Sequence, residues 1–172
     1  IHQLLVHPVF RGELAGLHFA IDAGDQQLLR LPAAQIPEIL SLTGRELAID
    51  GHRLLLAVPR VESLSAAASL DARIVIVKLT ELPKDADGSL DKNGMRARYE
   101  AELGRQLAAL GIGRKPELLG LQEIRVAGRR VLGFSVRVSD LDAESSLALQ
   151  RAGLGGKRRM GCGVFVPTRP HR

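Results

Sequence analysis

One cysteine, one tyrosine and no tryptophan are found in a chain of 172 residues. A lone thiol, Cys162, cannot build an internal disulfide framework or a cysteine-rich zinc site. Aromatic residues make up 3% of the chain, too few for an open sheet that stacks bases on aromatic rings. No apolar run approaches the ~20 residues of a membrane helix, which excludes a spanning segment of that kind. The given sequence opens at Ile1 without a basic-then-apolar leader. Together with the scarce cysteine, this sets the expectation of a reducing, cytoplasmic setting and no membrane partner. No acidic cluster or histidine pair has metal-ligand spacing, so neither a metal nor another cofactor is expected. What is present is 45% hydrophobic and 25% charged residues. That is the composition of one ordinary globular domain, or two small ones, with a buried core.

Charge is unevenly placed. Lysine and arginine number 24 and aspartate and glutamate 19, a net of +5. Residues 151–172 hold six of the bases (Arg151, Lys157, Arg158, Arg159, Arg169, Arg172) and no acid. That leaves 18 bases against 19 acids in residues 1–150, a net of −1. A basic cluster embedded in glycines and followed by an apolar strand points to a polyanion, with phosphate the commonest candidate.

The second half reads as one complete fold. Arg73–Lys78 is a β-branched strand, and residues 83–88 are loop chemistry. From Lys92 to Leu110 the apolar Met95, Tyr99, Leu103, Leu107 and Leu110 recur at spacings of three and four, an amphipathic helix stopped by Gly111 and Gly113. Leu118–Val126 and Arg130–Val138 form a hairpin around Ala127-Gly128. Asp140 or Asp142 caps a helix over Ala143–Ala152, with Gly153 past its end. Gly163–Pro167 is a last strand. The order is βαββαβ, the ferredoxin-like unit shared by RNA-recognition-motif domains.

The first half reads as part of the same unit. Leu4–Val9, Leu17–Ile21 and Gln27–Leu31 are strand-like, and Pro32–Leu42 is helical with Pro37 in its first turns. Glu46–Asp50 and Arg53–Val58 form a hairpin closed by Asp50-Gly51. If this half is also βαββαβ, its opening strand and helix are missing and are expected upstream of Ile1. The expected class is therefore α+β with tandem ferredoxin-like folds. Residues 1–60 are a partial first domain, 61–71 a linker, and 72–172 the second domain.

The densest motif is Gly153-Leu-Gly-Gly-Lys-Arg-Arg-Met-Gly-Cys-Gly163. Its glycines let backbone approach a ligand and point N–H groups outward, while Lys157, Arg158 and Arg159 add charge. A nucleoside-triphosphate loop needs Ser or Thr after Gly156-Lys157, where Arg158 stands. A dinucleotide fingerprint needs a third glycine where Arg158 again stands, and a preceding strand instead of a helix. Both are rejected. A loop gripping a sugar-phosphate backbone remains, with Gly153, Gly155, Gly156, Lys157, Arg158, Arg159 and Gly161 as its residues. Lys78 at a strand end and Arg129-Arg130 at a hairpin turn are further phosphate contacts or solvated strand-end charges. His52 at a hairpin tip either touches RNA or faces water.

The motif and the strand after it, Gly153 to Pro167, resemble the C-terminal signature of the CRISPR-associated endoribonucleases that cut repeat RNA. These are the sixth Cas family of the RAMP superfamily, here its myxan branch linked to type I-D-like systems. Val6-His-Pro8, Leu31-Pro-Ala-Ala-Gln-Ile-Pro37, Asp50-Gly-His-Arg-Leu54 with Val58-Pro59, and Gln106-Leu-Ala-Ala-Leu-Gly111 agree in order. The resemblance implies tandem ferredoxin-like folds and metal-independent cleavage of precursor CRISPR RNA within repeats. The ribose 2′-OH attacks its phosphate to leave a 2′,3′-cyclic phosphate and a 5′-OH. It further implies retention on the 3′ hairpin of the crRNA within a type I effector (Cascade) complex of other Cas subunits. The alternative is a non-cleaving subunit of that complex that only holds crRNA. In the resembled family the base is usually a histidine near the first helix, the part expected upstream of Ile1. The catalytic residue is therefore not carried over. Of the five histidines, His7 before Pro8 is the candidate for the site. His2 and His171 near the termini read as incidental, His18 as structural or exposed, and Cys162 as a small packing residue.

Overall fold

The computed structural model describes residues 2–6, 10–14, 17–21, 27–49, 52–55, 57–79, 83–84, 87–88, 91–126 and 129–168. The chain divides into two compact units, Ile1–Leu64 and Ser65–Arg172.

In the first unit, β1 (His2–Val6) pairs antiparallel with β4 (Gln27–Leu31), Leu4 opposite Leu29. On its other side it pairs with β7 (Arg60–Ser63), Leu4 opposite Val61, to give a sheet of order β4-β1-β7. Two hairpins accompany it: β2 (Phe10–Leu14) with β3 (Leu17–Ile21), and β5 (Glu46–Ile49) with β6 (His52–Leu55). An Arg53–Glu46 ion pair crosses the second hairpin. The helix expected over 32–42 is shorter. A 3-10 turn at Ala33–Gln35 leads into α1 (Ile36–Leu40), whose Ile36 and Ile39 pack on buried Leu31. Extended Pro32 delays its start; it ends on Leu40, and turns over 41–44 follow, with Gly44 at φ 73°. The span 61–71 is not free chain throughout: its first residues belong to β7, and Leu70 and Asp71 already belong to the next strand.

The second unit contains β8 (Leu70–Val75), α2 (Lys92–Ala109), β9 (Glu117–Val126), β10 (Arg129–Val138), α3 (Ala143–Ala152) and β11 (Val166–Pro167). The four strands form an antiparallel sheet of order β11-β8-β10-β9. This α+β arrangement is compatible with a ferredoxin-like fold. Each helix starts on an aspartate. Asp91 accepts the Gly94 N–H at 2.8 Å, and Asp142 accepts the Ser145 N–H at 2.8 Å. Between the two cap candidates for α3, the structure selects Asp142, whose carboxyl is held below its usual range by the Ser145 N–H and by the Ser145 hydroxyl, which donates to it at 3.0 Å.

Met95, Tyr99, Leu103 and Leu107 form the buried stripe of α2 and pack with Val75, Phe134, Val136 and Val138 of the sheet. A register shift between Phe134 and Val136 places Ala72 and Val75 in this same core, although they lie an odd three positions apart along the strand. Ile74 and Ile76 form a second cluster with Cys162. The Tyr99 hydroxyl donates to Leu132 O at 3.1 Å and accepts from Val77 N–H at 3.2 Å. It thereby holds the end of β8 beside β10. Desolvation raises its pKa above the phenol's ordinary value.

Candidate functional site

The glycine-rich loop begins where α3 stops. Gly153 takes φ 63° and donates its N–H to Leu149 O at 2.8 Å. Beyond it, the chain docks on the sheet. Leu154 N–H bonds to Gly163 O at 3.1 Å, Gly156 N–H to Ile76 O at 2.8 Å, and Gly163 N–H to Ile74 O at 2.7 Å. Gly155 N–H bonds to the Gln106 side chain at 2.8 Å. Leu154 and Cys162 are buried as plugs. The glycines are needed for close approach. A Cβ on Gly163 would lie 1.8 Å from Leu154 O, and one on Gly155 would lie 2.4 Å from Ile76 O. The expectation that these N–H groups point outward toward a ligand is therefore corrected for Gly153, Gly155, Gly156 and Gly163. Their donors close the fold, because buried backbone must find partners.

What faces outward is the middle of the loop. Lys157 sits in the left-handed region at φ 55°, and Arg158–Met160 make a 3-10 turn ending on Gly161 at φ 78°. Met160 N–H bonds to Lys157 O at 2.9 Å, and Gly161 N–H to Arg158 O at 3.0 Å. Lys157, Arg158 and Arg159 are exposed, and so is Met160. The three cations are not equivalent. Arg158 donates from Nη1 to Ala152 O and so caps the carboxyl end of α3. Lys157 and Arg159 meet no acid among the described residues.

Two other candidates come together. Lys78 and Arg130 line one cleft of about 590 Å³, with Met95, Tyr99, Leu79 and Leu132. Lys78 lies two residues beyond Ile76, on which Gly156 docks, so the cleft and the loop share one end of β8. Arg130 makes a paired contact with Glu123 at 2.8 and 2.6 Å, and Arg129 is exposed beside it. The Arg130 contact holds the Glu123 carboxyl below its ordinary range.

His52 stands opposite Ile49 in the β5–β6 hairpin of the first unit. His7 lies outside the described residues, as do His171 and residues 50–51 and 127–128, where the sequence predicts turns. Burial pushes the Cys162 thiol up, against the opposing charges of Arg73 and Lys157. The thiol accordingly stays protonated at neutral pH and packs with Ile74 and Ile76.

Sequence reasoning missed two residues at this site. Arg73, at the start of the predicted strand, is an exposed cation whose charge reaches Cys162 as Lys157's does. Gln106 reads in the sequence as an ordinary polar helix position, and nothing in its spacing signals a partner 49 residues away.

A family model described as Cas6 Crispr matches residues 1–170. The curated CRISPR-associated endonuclease Cas6 of Myxococcus xanthus (strain DK1622) is 34% identical over 139 residues. Those residues are 81% of this chain and 55% of that protein. The chain thus spans about half the length of this relative.

Proposed function

The chain belongs to the Cas6 CRISPR family, and from that premise we propose that it binds and cleaves precursor CRISPR RNA within its repeats. Its setting is the cytoplasm, and its first unit is part of a second ferredoxin-like fold. The observation that carries the reading is the exposed Lys157–Met160 turn, mounted on the sheet by inward backbone bonds and facing no acid among the described residues. Such a turn offers a polyanion two uncompensated cations in a fixed place.

The chemistry proposed is transesterification without a metal. The ribose 2′-OH attacks the adjacent phosphorus, the P–O5′ bond breaks, and a 2′,3′-cyclic phosphate and a 5′-OH result. This needs a base for the 2′-OH proton, an acid for the leaving oxygen and cations for the added charge on the phosphorane. His7 is the candidate base. Lys157 and Arg159, with Lys78 and Arg129, are the candidate phosphate contacts, and His52 a further RNA contact. The product stays on the enzyme through its 3′ hairpin, alongside other Cas subunits of a type I effector complex.

A second reading is a subunit that holds crRNA without cutting it. Incubation with repeat RNA in EDTA separates the two. Cleavage that persists in EDTA and stops with a single 2′-deoxy substitution at the scissile ribose supports the nuclease. Tight binding without product supports the holding subunit. Cleavage of the 2′-deoxy substrate overturns the proposed chemistry.

A further inference from the structure

Gln106 lies one turn from Glu102 on α2, between buried Leu103 and Leu107. Its Oε1 accepts the Gly155 N–H at 2.8 Å, and its Nε2 donates to Glu102 Oε1 at 2.8 Å. Glu102 also receives Arg105 at 2.8 and 2.6 Å. The amide orientation follows from its neighbours. A backbone N–H needs the oxygen, and a carboxylate needs the nitrogen. The result is a polar chain, Arg105–Glu102–Gln106–Gly155, running from the surface of α2 to the loop. Gly155, at φ 72°, is the residue from which the chain passes through Gly156 to Lys157.

We propose that Gln106 is a positioning residue for the cationic turn: by holding the Gly155 N–H from α2, it sets where Lys157 and Arg159 present their charges. The inference rests on the reading of that turn as an RNA contact. An apolar side chain at 106 leaves the Gly155 N–H without its acceptor, and the peptide then rotates to find water. The turn shifts with it, because the Gly156 N–H on Ile76 O is then the nearest backbone bond left between the turn and the sheet.

Two variants test this. Gln106→Met keeps length and packing but loses the acceptor. Gln106→Glu, made together with Glu102→Gln so that residue 102 supplies the donor that 106 loses, keeps the acceptor for Gly155 and moves a negative charge toward the polyanion site. The Met variant is expected to bind repeat RNA roughly three- to tenfold more weakly, the equivalent of one lost hydrogen bond. Its salt dependence should be shallower and its Gly155 amide should exchange faster, with far-UV circular dichroism unchanged. The Glu variant should bind more tightly than Met, although its charge is the worse choice for RNA. That order is the one a restored acceptor for Gly155 gives.

Parental affinity in Gln106→Met, beside weakened binding in Lys157→Ala/Arg159→Ala, overturns the positioning role and leaves the turn as an RNA contact. No effect of the double variant overturns the turn itself as a contact, and the inference falls with it. A Glu variant no tighter than Met also overturns it. Should Gln106→Met lose its secondary structure, Glu102→Leu removes the outer anchor of the same amide. A smaller affinity loss is then expected, and unchanged affinity counts against the proposal.

Discussion

Two places on the second unit gather cations, and they differ in what those charges already do. At the end of the β9–β10 hairpin, Arg130 is spent on Glu123 through two hydrogen bonds. At the 157–160 turn, Lys157 and Arg159 face no acid among the described residues. A paired guanidinium must give up its carboxylate before it takes a phosphate, so its net gain is small. An unpaired one gains the whole contact and releases a counterion. The lesson is that a count of basic residues overstates the hairpin and understates the turn.

The harshest way to break the comparison is Gly163→Ala. Its Cβ would meet Leu154 O at 1.8 Å, and its φ of 67° strains any side chain. A loss of about 2–4 kcal/mol in denaturant unfolding is expected, with RNA binding lost alongside. The parental midpoint in this variant would contradict the docked loop.

The charges themselves come next. Lys157→Ala/Arg159→Ala should weaken repeat-RNA binding at least tenfold at low salt and reduce the slope of log K against log salt by about 1.4, taking two contacts to a single strand. Arg130→Ala should cost under about twofold, since its charge is already compensated. Glu123→Gln sharpens the contrast, because it releases Arg130 and should tighten binding. Filter-binding titrations across salt read all three. Equal losses at the two places would erase the distinction.

The smallest effect is pH-dependent. Bonds from Arg105 and Gln106 hold the Glu102 carboxyl down at about 2. A depressed acid stabilises the fold above its unfolded pKa, about 4.3, and that contribution fades as pH falls toward 2. Melting of the parent and of Glu102→Gln should therefore differ at pH 7 and converge near pH 2. A constant gap would show that Glu102 acts through packing.

Much of the second unit was legible before its coordinates. The Met95–Tyr99–Leu103–Leu107 stripe announced α2 to within a residue, because helical burial repeats where apolar residues repeat. The hairpin of β9 and β10 was equally plain from its alternation. β2 and β7 were not. Arg60–Ser63 is short and polar, and it is a strand because its backbone pairs with β1. No side-chain pattern records that pairing. The strand placed at Arg73–Lys78 in fact runs Leu70–Val75, since its backbone pairs with β10 over those residues and with β11 at Leu70 and Asp71.

The loop divides in the same way. Local sequence located its glycines and cations and the helix before it, since these rest on local preferences of backbone and burial; the strand expected over 163–167 is shortened to Val166–Pro167, because only those two residues join the ladder with β8. Only the tertiary structure decided what each part does. Ile74, Ile76 and Gln106 come from elements far away in sequence, and they take up the glycine N–H groups that a local reading left to a ligand. Arg158 is likewise turned back on α3, while Lys157 and Arg159 are left outward. A hydrogen bond belongs to whichever acceptor the fold brings within reach, and that is a property of distance in space.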